Sequence, residues 1–81
     1  MESELLQQIR PSIASLYEID PQTVTDSAHF ENDLGGDSLL FVQLVQNLET
    51  QLRVRLPDEE SAKVTTVAEL VELIQKHQVS L

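Results

Sequence analysis

Apolar residues recur at helical spacing in three segments of this chain, and no segment alternates apolar and polar residues like a half-exposed strand. In the first segment, the apolar side chains from Leu5 to Tyr17 fall within an arc of about 120° on a helical wheel. This arc predicts an amphipathic helix over residues 3–17. Pro11 lies inside the segment and removes a hydrogen bond to the carbonyl of Gln7, so we expect a kink or a break there.

A second helix is predicted to begin at Ser38, with Asp37 as its N-cap. Its apolar positions fall within an arc of about 100° and form the expected buried stripe: Phe41, Leu44, Val45, Leu48 and Leu52. The polar stretch over residues 18–37 is long for a loop in a small domain, so we expect it to be functional or to contain short helical turns. Four apolar residues are expected to fasten it to the core: Val24, Ala28, Phe30 and Leu34.

The last part of the chain carries two further helix starts. Pro57 favours a short helical turn over residues 58–62. Thr66 and Glu69 match a capping box, which predicts the start of a final helix that ends near Gln78. Together the segments predict an all-α fold, a small bundle of three main helices and one short helix, with residues 1–81 forming a single domain.

Composition limits the classes of function. A chain of 81 residues with a net charge of −9 and no cysteine cannot hold a disulfide framework or a thiolate zinc site, and its charge argues against nucleic acid. No apolar run is long enough to span a membrane, and residues 1–4 do not start like a signal peptide. We therefore expect a cytoplasmic monomer, and the starting Met1 and short tails favour a free-standing protein.

Residues 33–40 raise the question of chemistry, because the only two glycines of the chain, Gly35 and Gly36, stand just before Ser38. On one interpretation this is a flexible loop followed by a helix cap, with Ser38 as an ordinary residue of the first turn. On the other, Ser38 presents an exposed hydroxyl at the positive end of a helix dipole. A phosphate attached there would meet free backbone N–H groups.

The segment resembles the acyl carrier protein family and the closely similar peptidyl carrier domains. The tripeptide Asp37-Ser38-Leu39 matches the attachment motif of the family. Residues 30–34 resemble the lead-in to that motif, residues 56–60 the segment after the second helix, and residues 63–67 the start of the last helix. The likeness spans most of residues 1–78 in the expected order.

The resemblance implies a carrier without catalytic residues of its own. It implies that a phosphopantetheinyl transferase links 4′-phosphopantetheine to Ser38 through a phosphodiester, and that the terminal thiol carries acyl groups as thioesters. Asp37 and Leu39 flank the attachment site. The implied partners are that transferase, acyl-loading enzymes, and ketosynthases or other acyl-transferring enzymes.

The second helix departs from the fatty-acid type of the family, which carries many acids on the exposed face of that helix. Here residues 38–52 contain one acid, Glu49, and Gly35-Gly36 looks more like polyketide and nonribosomal-peptide carriers. We therefore expect a specialised pathway rather than primary fatty-acid synthesis. The expected docking residues are Leu39, Leu40, Val42, Gln43, Gln46 and Glu49; alternatively, the apolar ones among them pack under the preceding loop.

Three other classes of function fit these residues less well. A serine hydrolase would need a second glycine after Ser38 and a positioned base, whereas His29 is expected to be a solvated loop residue and His77 to lie at a frayed C-terminus. An EF-hand starting at Glu31 would place Val42 where a bidentate glutamate belongs, so no metal site is predicted. The remaining alternative is a helical protein-interaction module without a covalent cofactor.

Overall fold

The structure, a computed structural model, describes residues 3–78 and contains four α-helices. They are α1 over Glu4–Tyr17, α2 over Ser38–Leu52, α3 over Asp58–Ser61 and α4 over Val67–His77. Within the described residues there is no strand ladder, and an antiparallel bridge between His29 and Thr66 is isolated. The predicted all-α fold with three main helices and one short helix is confirmed. No helix in this part of the chain has the length and apolar character needed to cross a membrane.

Helix α1 begins where the sequence predicts, because the Ser3 side chain caps it by accepting a hydrogen bond from the Leu6 N–H at 3.0 Å. The helix runs without interruption through Pro11. Of the two outcomes predicted at Pro11, a break is therefore wrong. The ring is exposed, and the buried side chains of Ile9 and Ile13 anchor both neighbouring turns in the core.

The core is aliphatic and lies between α1, α2 and α4. Its fully buried side chains include Leu6, Ile9, Ile13, Leu44, Leu48, Leu70 and Ile74. In the predicted stripe of α2, Leu44, Val45 and Leu48 are buried, whereas Phe41 and Leu52 are half-buried. These two side chains lie at the margin of the helix bundle and pack against the core from its edge.

The long segment between α1 and α2 is fastened to the core as predicted, since Val24, Ala28, Phe30 and Leu34 are all buried. It contains a 3-10 turn over Pro21–Thr23, one of the short helical turns expected in a loop of this length. The segment also supplies acceptors to the start of α4. The Val67 N–H donates to the Ala28 carbonyl at 3.0 Å, and the Ala68 N–H donates to the Asp26 carbonyl at 2.9 Å. The first N–H groups of α4, which have no partner within the helix, therefore donate to the loop before α2.

The predicted capping box at the start of α4 is present. The Thr66 hydroxyl accepts a hydrogen bond from the Glu69 N–H, and the Glu69 carboxylate accepts from the Thr66 N–H at 3.0 Å. The same carboxylate also accepts from the Thr65 hydroxyl at 2.6 Å and the Thr65 N–H at 2.9 Å. These bonds lower the pKa of Glu69 from its ordinary value to about 2, and the bond from the Thr65 hydroxyl has the largest effect.

A Glu69→Gln substitution is expected to lower the urea midpoint of unfolding at neutral pH. The folded pKa lies below the unfolded one, so the ionised carboxylate stabilises the fold above about pH 5 and loses this effect as the pH falls towards 2. The difference between wild type and variant should therefore shrink at about pH 3. Glu72→Gln, the same change at an exposed position of α4, is the control. If the difference in urea midpoint between wild type and Glu69→Gln did not change with pH, the stabilising effect could not come from the ionised Glu69 carboxylate.

The C-terminal end of α4 is tied to α3. The Glu60 carboxylate lies 2.6 Å from Lys76 Nζ and 2.9 Å from His77 Nε2, and these contacts lower the pKa of Glu60. His77 was expected at a frayed end, and that prediction is wrong. The side chain is half-buried in the last turn of α4 and holds the short helix α3 against it.

Candidate functional site

The loop that leads to Ser38 is closed by its own hydrogen bonds. The His29 carbonyl accepts from the N–H groups of Asp33 and Leu34, at 2.8 and 3.1 Å, and the Asp33 carboxylate accepts from the His29 N–H at 2.7 Å. The Gly36 N–H then donates to the Phe30 carbonyl at 3.0 Å. Gly35 has a φ of +75°, a left-handed conformation that glycine adopts without strain. The loop therefore delivers the chain to α2 in a defined conformation.

Gly36 is required for a different reason, its close approach to Tyr17. A Cβ at this position would lie 2.2 Å from the ring carbon Cε2 of Tyr17. The tyrosine is 7% exposed, and its ring centroid lies 5.9 Å from that of Phe30. Its buried hydroxyl has no hydrogen-bond partner in the described structure. Burial, followed by the charge of Asp37, raises the pKa of Tyr17 to about 12.

Asp37 caps α2 as the sequence predicts. Its Oδ1 accepts a hydrogen bond from the Leu40 N–H at 2.8 Å, and its carbonyl accepts from the Phe41 N–H at 3.0 Å. Ser38 is the first residue of the helix, and it is exposed. The cap holds the Ser38 backbone while the hydroxyl stays open to an approaching enzyme.

The surroundings of Ser38 suit an attached phosphate. In the described part of the chain, the N–H groups of Ser38 and Leu39 make no hydrogen bond to protein, because the Asp37 side chain satisfies only that of Leu40. Free N–H groups at the start of a helix attract anions. The residues present therefore fit a phosphodiester on the Ser38 hydroxyl.

A cleft of about 550 Å³ opens beside Ser38, between α2, α3 and the loop before α2. Its apolar surface comes from Phe30, Phe41, Val42, Val45, Ala62 and Val64. The rings of Phe30 and Phe41 meet edge to face, with centroids 5.0 Å apart. The sequence did not predict this cleft, because its walls come from three segments that are separate along the chain.

The expected docking residues on α2 separate into two groups. Leu39 and Val42 are 76% and 51% exposed, so the alternative in which they pack under the loop is wrong for both. Gln43 and Gln46 are also exposed. In contrast, Leu40 packs half-buried against the core, and Glu49 is half-buried, with its Oε2 accepting a hydrogen bond from the Leu56 N–H at 2.8 Å.

His29 is not the solvated loop residue that the sequence predicted. It is half-buried, its backbone forms a bridge with that of Thr66, and it lines the cleft. Its Nδ1 accepts a hydrogen bond from the Asn32 N–H at 3.5 Å. Within residues 3–78, no group of three or more His, Asp or Glu side chains is placed to hold a metal ion.

Comparison with known proteins gives the family. Residues 7–74 match the family described as "Phosphopantetheine attachment site". The chain belongs to the acyl carrier protein family. It is 39% identical over 77 residues to the acyl carrier protein of Lactobacillus johnsonii, covering 95% of this chain and 96% of that protein. It is 41% identical over 75 residues to that of Rubrobacter xylanophilus, covering 93% of each chain.

Membership of this family explains why the site around Ser38 lacks catalytic machinery in the described part of the chain and has room for a cofactor. The protein is a carrier and not an enzyme, and its cofactor is phosphopantetheine, as the sequence predicted. Its partners are therefore a phosphopantetheinyl transferase and acyl-transferring enzymes. The acyl carrier protein of Thermosynechococcus vestitus, 37% identical over 73 residues and 90% of each chain, supports the same assignment.

Proposed function

We propose that Ser38 is the residue that carries 4′-phosphopantetheine, and that the protein presents acyl groups on this arm to partner enzymes. When bound, the group supplies a terminal thiol on which acyl groups are held as thioesters. The observation that carries the proposal is the exposed Ser38 hydroxyl at the capped start of α2, next to two free backbone N–H groups and a cleft. Asp37 and Leu39 flank it, as in the attachment motif of the family.

Each residue around Ser38 has a distinct task in this proposal. Gly35 and the closed loop bring the chain to α2, and Asp37 fixes the first turn. The Ser38 Oγ gives up its proton and forms one bond to the pantetheine-bearing phosphorus of coenzyme A, from which the adenosine bisphosphate leaves. The N–H groups of Ser38 and Leu39 would then be available to the negative charge of the phosphodiester.

The test is incubation of the purified protein with coenzyme A and a promiscuous phosphopantetheinyl transferase. We expect the intact mass to increase by one phosphopantetheinyl group, and peptide mapping to place the addition on the peptide that contains Ser38. If the mass does not increase, or if the addition maps to a peptide without Ser38, the proposal fails. The proposal includes a single carrier domain over residues 1–81 that acts as a cytoplasmic monomer.

We further propose that the carrier serves a polyketide, nonribosomal-peptide or other specialised pathway. The charge distribution on α2 supports this. Residues 38–52 hold one acid, and that acid, Glu49, already binds the Leu56 N–H of its own chain. Partner recognition would then rest on Leu39 and Val42 with the exposed glutamines. Charge reversal at Glu49 is a poor test of docking, since it would also remove a hydrogen bond that holds residues 49–56 together.

A Leu39→Ala substitution is expected to slow acyl transfer to the cognate enzyme by roughly tenfold, because the side chain is 76% exposed and its burial against a partner would contribute about 1.5–3 kcal/mol. Transfer by the wild type should change little between low and moderate salt, since apolar docking is not screened. The assay is the initial rate of transfer at subsaturating carrier. Thr50→Ala, an exposed position near the end of α2, is the control. A steep decline with salt would indicate charged docking instead.

A further inference from the structure

The cleft beside Ser38 has an acidic rim. Four acidic residues line it, Glu31, Asp37, Glu49 and Asp58, together with the apolar residues named above. None of the Lys or Arg residues of the chain, all of which lie within the described range, lines the cleft. The only other ionisable side chain on its wall is that of His29. The space next to the proposed attachment residue therefore presents negative charge almost exclusively.

Two of the four rim carboxylates are held in place by hydrogen bonds, and none is paired with a cationic side chain in the described part of the chain. The Asp37 and Glu49 carboxylates each accept a backbone N–H at 2.8 Å, which keeps them in place. Within residues 3–78, none of the four rim carboxylates forms an ion pair; the acidic residue of α3 that does so is Glu60. Charges beside a partly enclosed apolar space interact more strongly than charges in bulk water. A negative group that enters this cleft would be repelled from several sides at once.

We propose that the cleft selects the acyl cargo by charge. It holds acyl groups that carry no negative charge, and it leaves acyl groups that end in a carboxylate in solvent, where their thioester is unprotected. The selection rests on the proposed function, since the cargo must first be attached at Ser38. Asp58 is the residue best suited to test it. It is exposed, lies at the start of α3, and its side chain makes no hydrogen bond within the described structure.

The experiment compares three acyl groups with the same six-carbon chain, loaded from their coenzyme A thioesters: hexanoyl, hexanoyl ending in trimethylammonium, and hexanoyl ending in a carboxylate. The readout is the rate of thioester cleavage by hydroxylamine, divided by the rate for the same acyl group on free pantetheine. We expect protection of about threefold or more for the neutral and cationic groups and none for the anionic group. Amide NMR shifts of Val45, Ala62 and Val64 should change with the first two groups only.

Two variants separate the effect of a charge that lines the cleft from the effect of a charge elsewhere on α3. Asp58→Asn should give the anionic group about twofold protection, whereas Glu59→Gln, the same charge change at an exposed α3 residue that does not line the cleft, should not. Equal protection of all three groups, or equal effects of the two variants, would overturn the charge selection. Failure of loading at Ser38, read by mass before any cleavage assay, would instead overturn the proposed function.

Discussion

Replacing Ser38 with alanine is expected to abolish phosphopantetheinylation completely while leaving the fold nearly unchanged. The hydroxyl oxygen is the atom to which the phosphate would be bound, and no neighbouring group can replace it. Its removal should cost little stability, because the side chain is exposed and the helix is capped by Asp37 and not by Ser38. The measurement is intact mass after incubation with the transferase and coenzyme A, together with a urea unfolding curve.

The matched control is Ser27→Ala, an exposed serine of the loop before α2. This variant should gain the full mass at the wild-type rate. An adduct that persists in Ser38→Ala, or one that maps to another serine, would show that attachment takes place elsewhere. A large decrease in stability would show instead that Ser38 has a structural task.

The sequence predicted those parts of the fold that are governed by local interactions. Helical periodicity gave α1, α2 and α4, because each buries one apolar stripe along a single helix. The caps were also predictable, since Asp37 and the Thr66–Glu69 box act over three residues. The position of Ser38 was predictable for the same reason. Its position at a helix start follows from its neighbours alone.

The remaining features depend on contacts between distant segments, so periodicity could not reveal them. The cleft forms only because α3 lies beside α2. His29 is half-buried because its backbone forms a bridge with Thr66, at the start of α4. Glu49 seemed to be a free charge on an exposed face, but the chain returns after α2 and places the Leu56 N–H on its carboxylate. Gly36 seemed to provide only flexibility. Its second role appears when Tyr17, from the end of α1, lies against it.

Gly36→Ala is expected to destabilise the protein by about 2 kcal/mol and to slow modification of Ser38 several-fold. The added Cβ would lie 2.2 Å from the Tyr17 ring, and the ring is backed by Phe30 and nearly fully buried. Because the ring cannot retreat, the chain next to Asp37 must move and weaken the cap that positions Ser38. Urea unfolding and the initial rate of transferase labelling would measure the two effects.

Gly35→Ala provides the comparison, because nothing lies within 4 Å of a Cβ there and only the left-handed backbone, at a φ of +75°, opposes the change. Its cost should be near 1 kcal/mol. The decisive variant is the double substitution Tyr17→Leu with Gly36→Ala. If the clash is the cause, Gly36→Ala should cost at least 1 kcal/mol less when Tyr17 is leucine. Additive costs would mean that the glycine is needed for its backbone, and the contact with Tyr17 would then not determine where Ser38 stands.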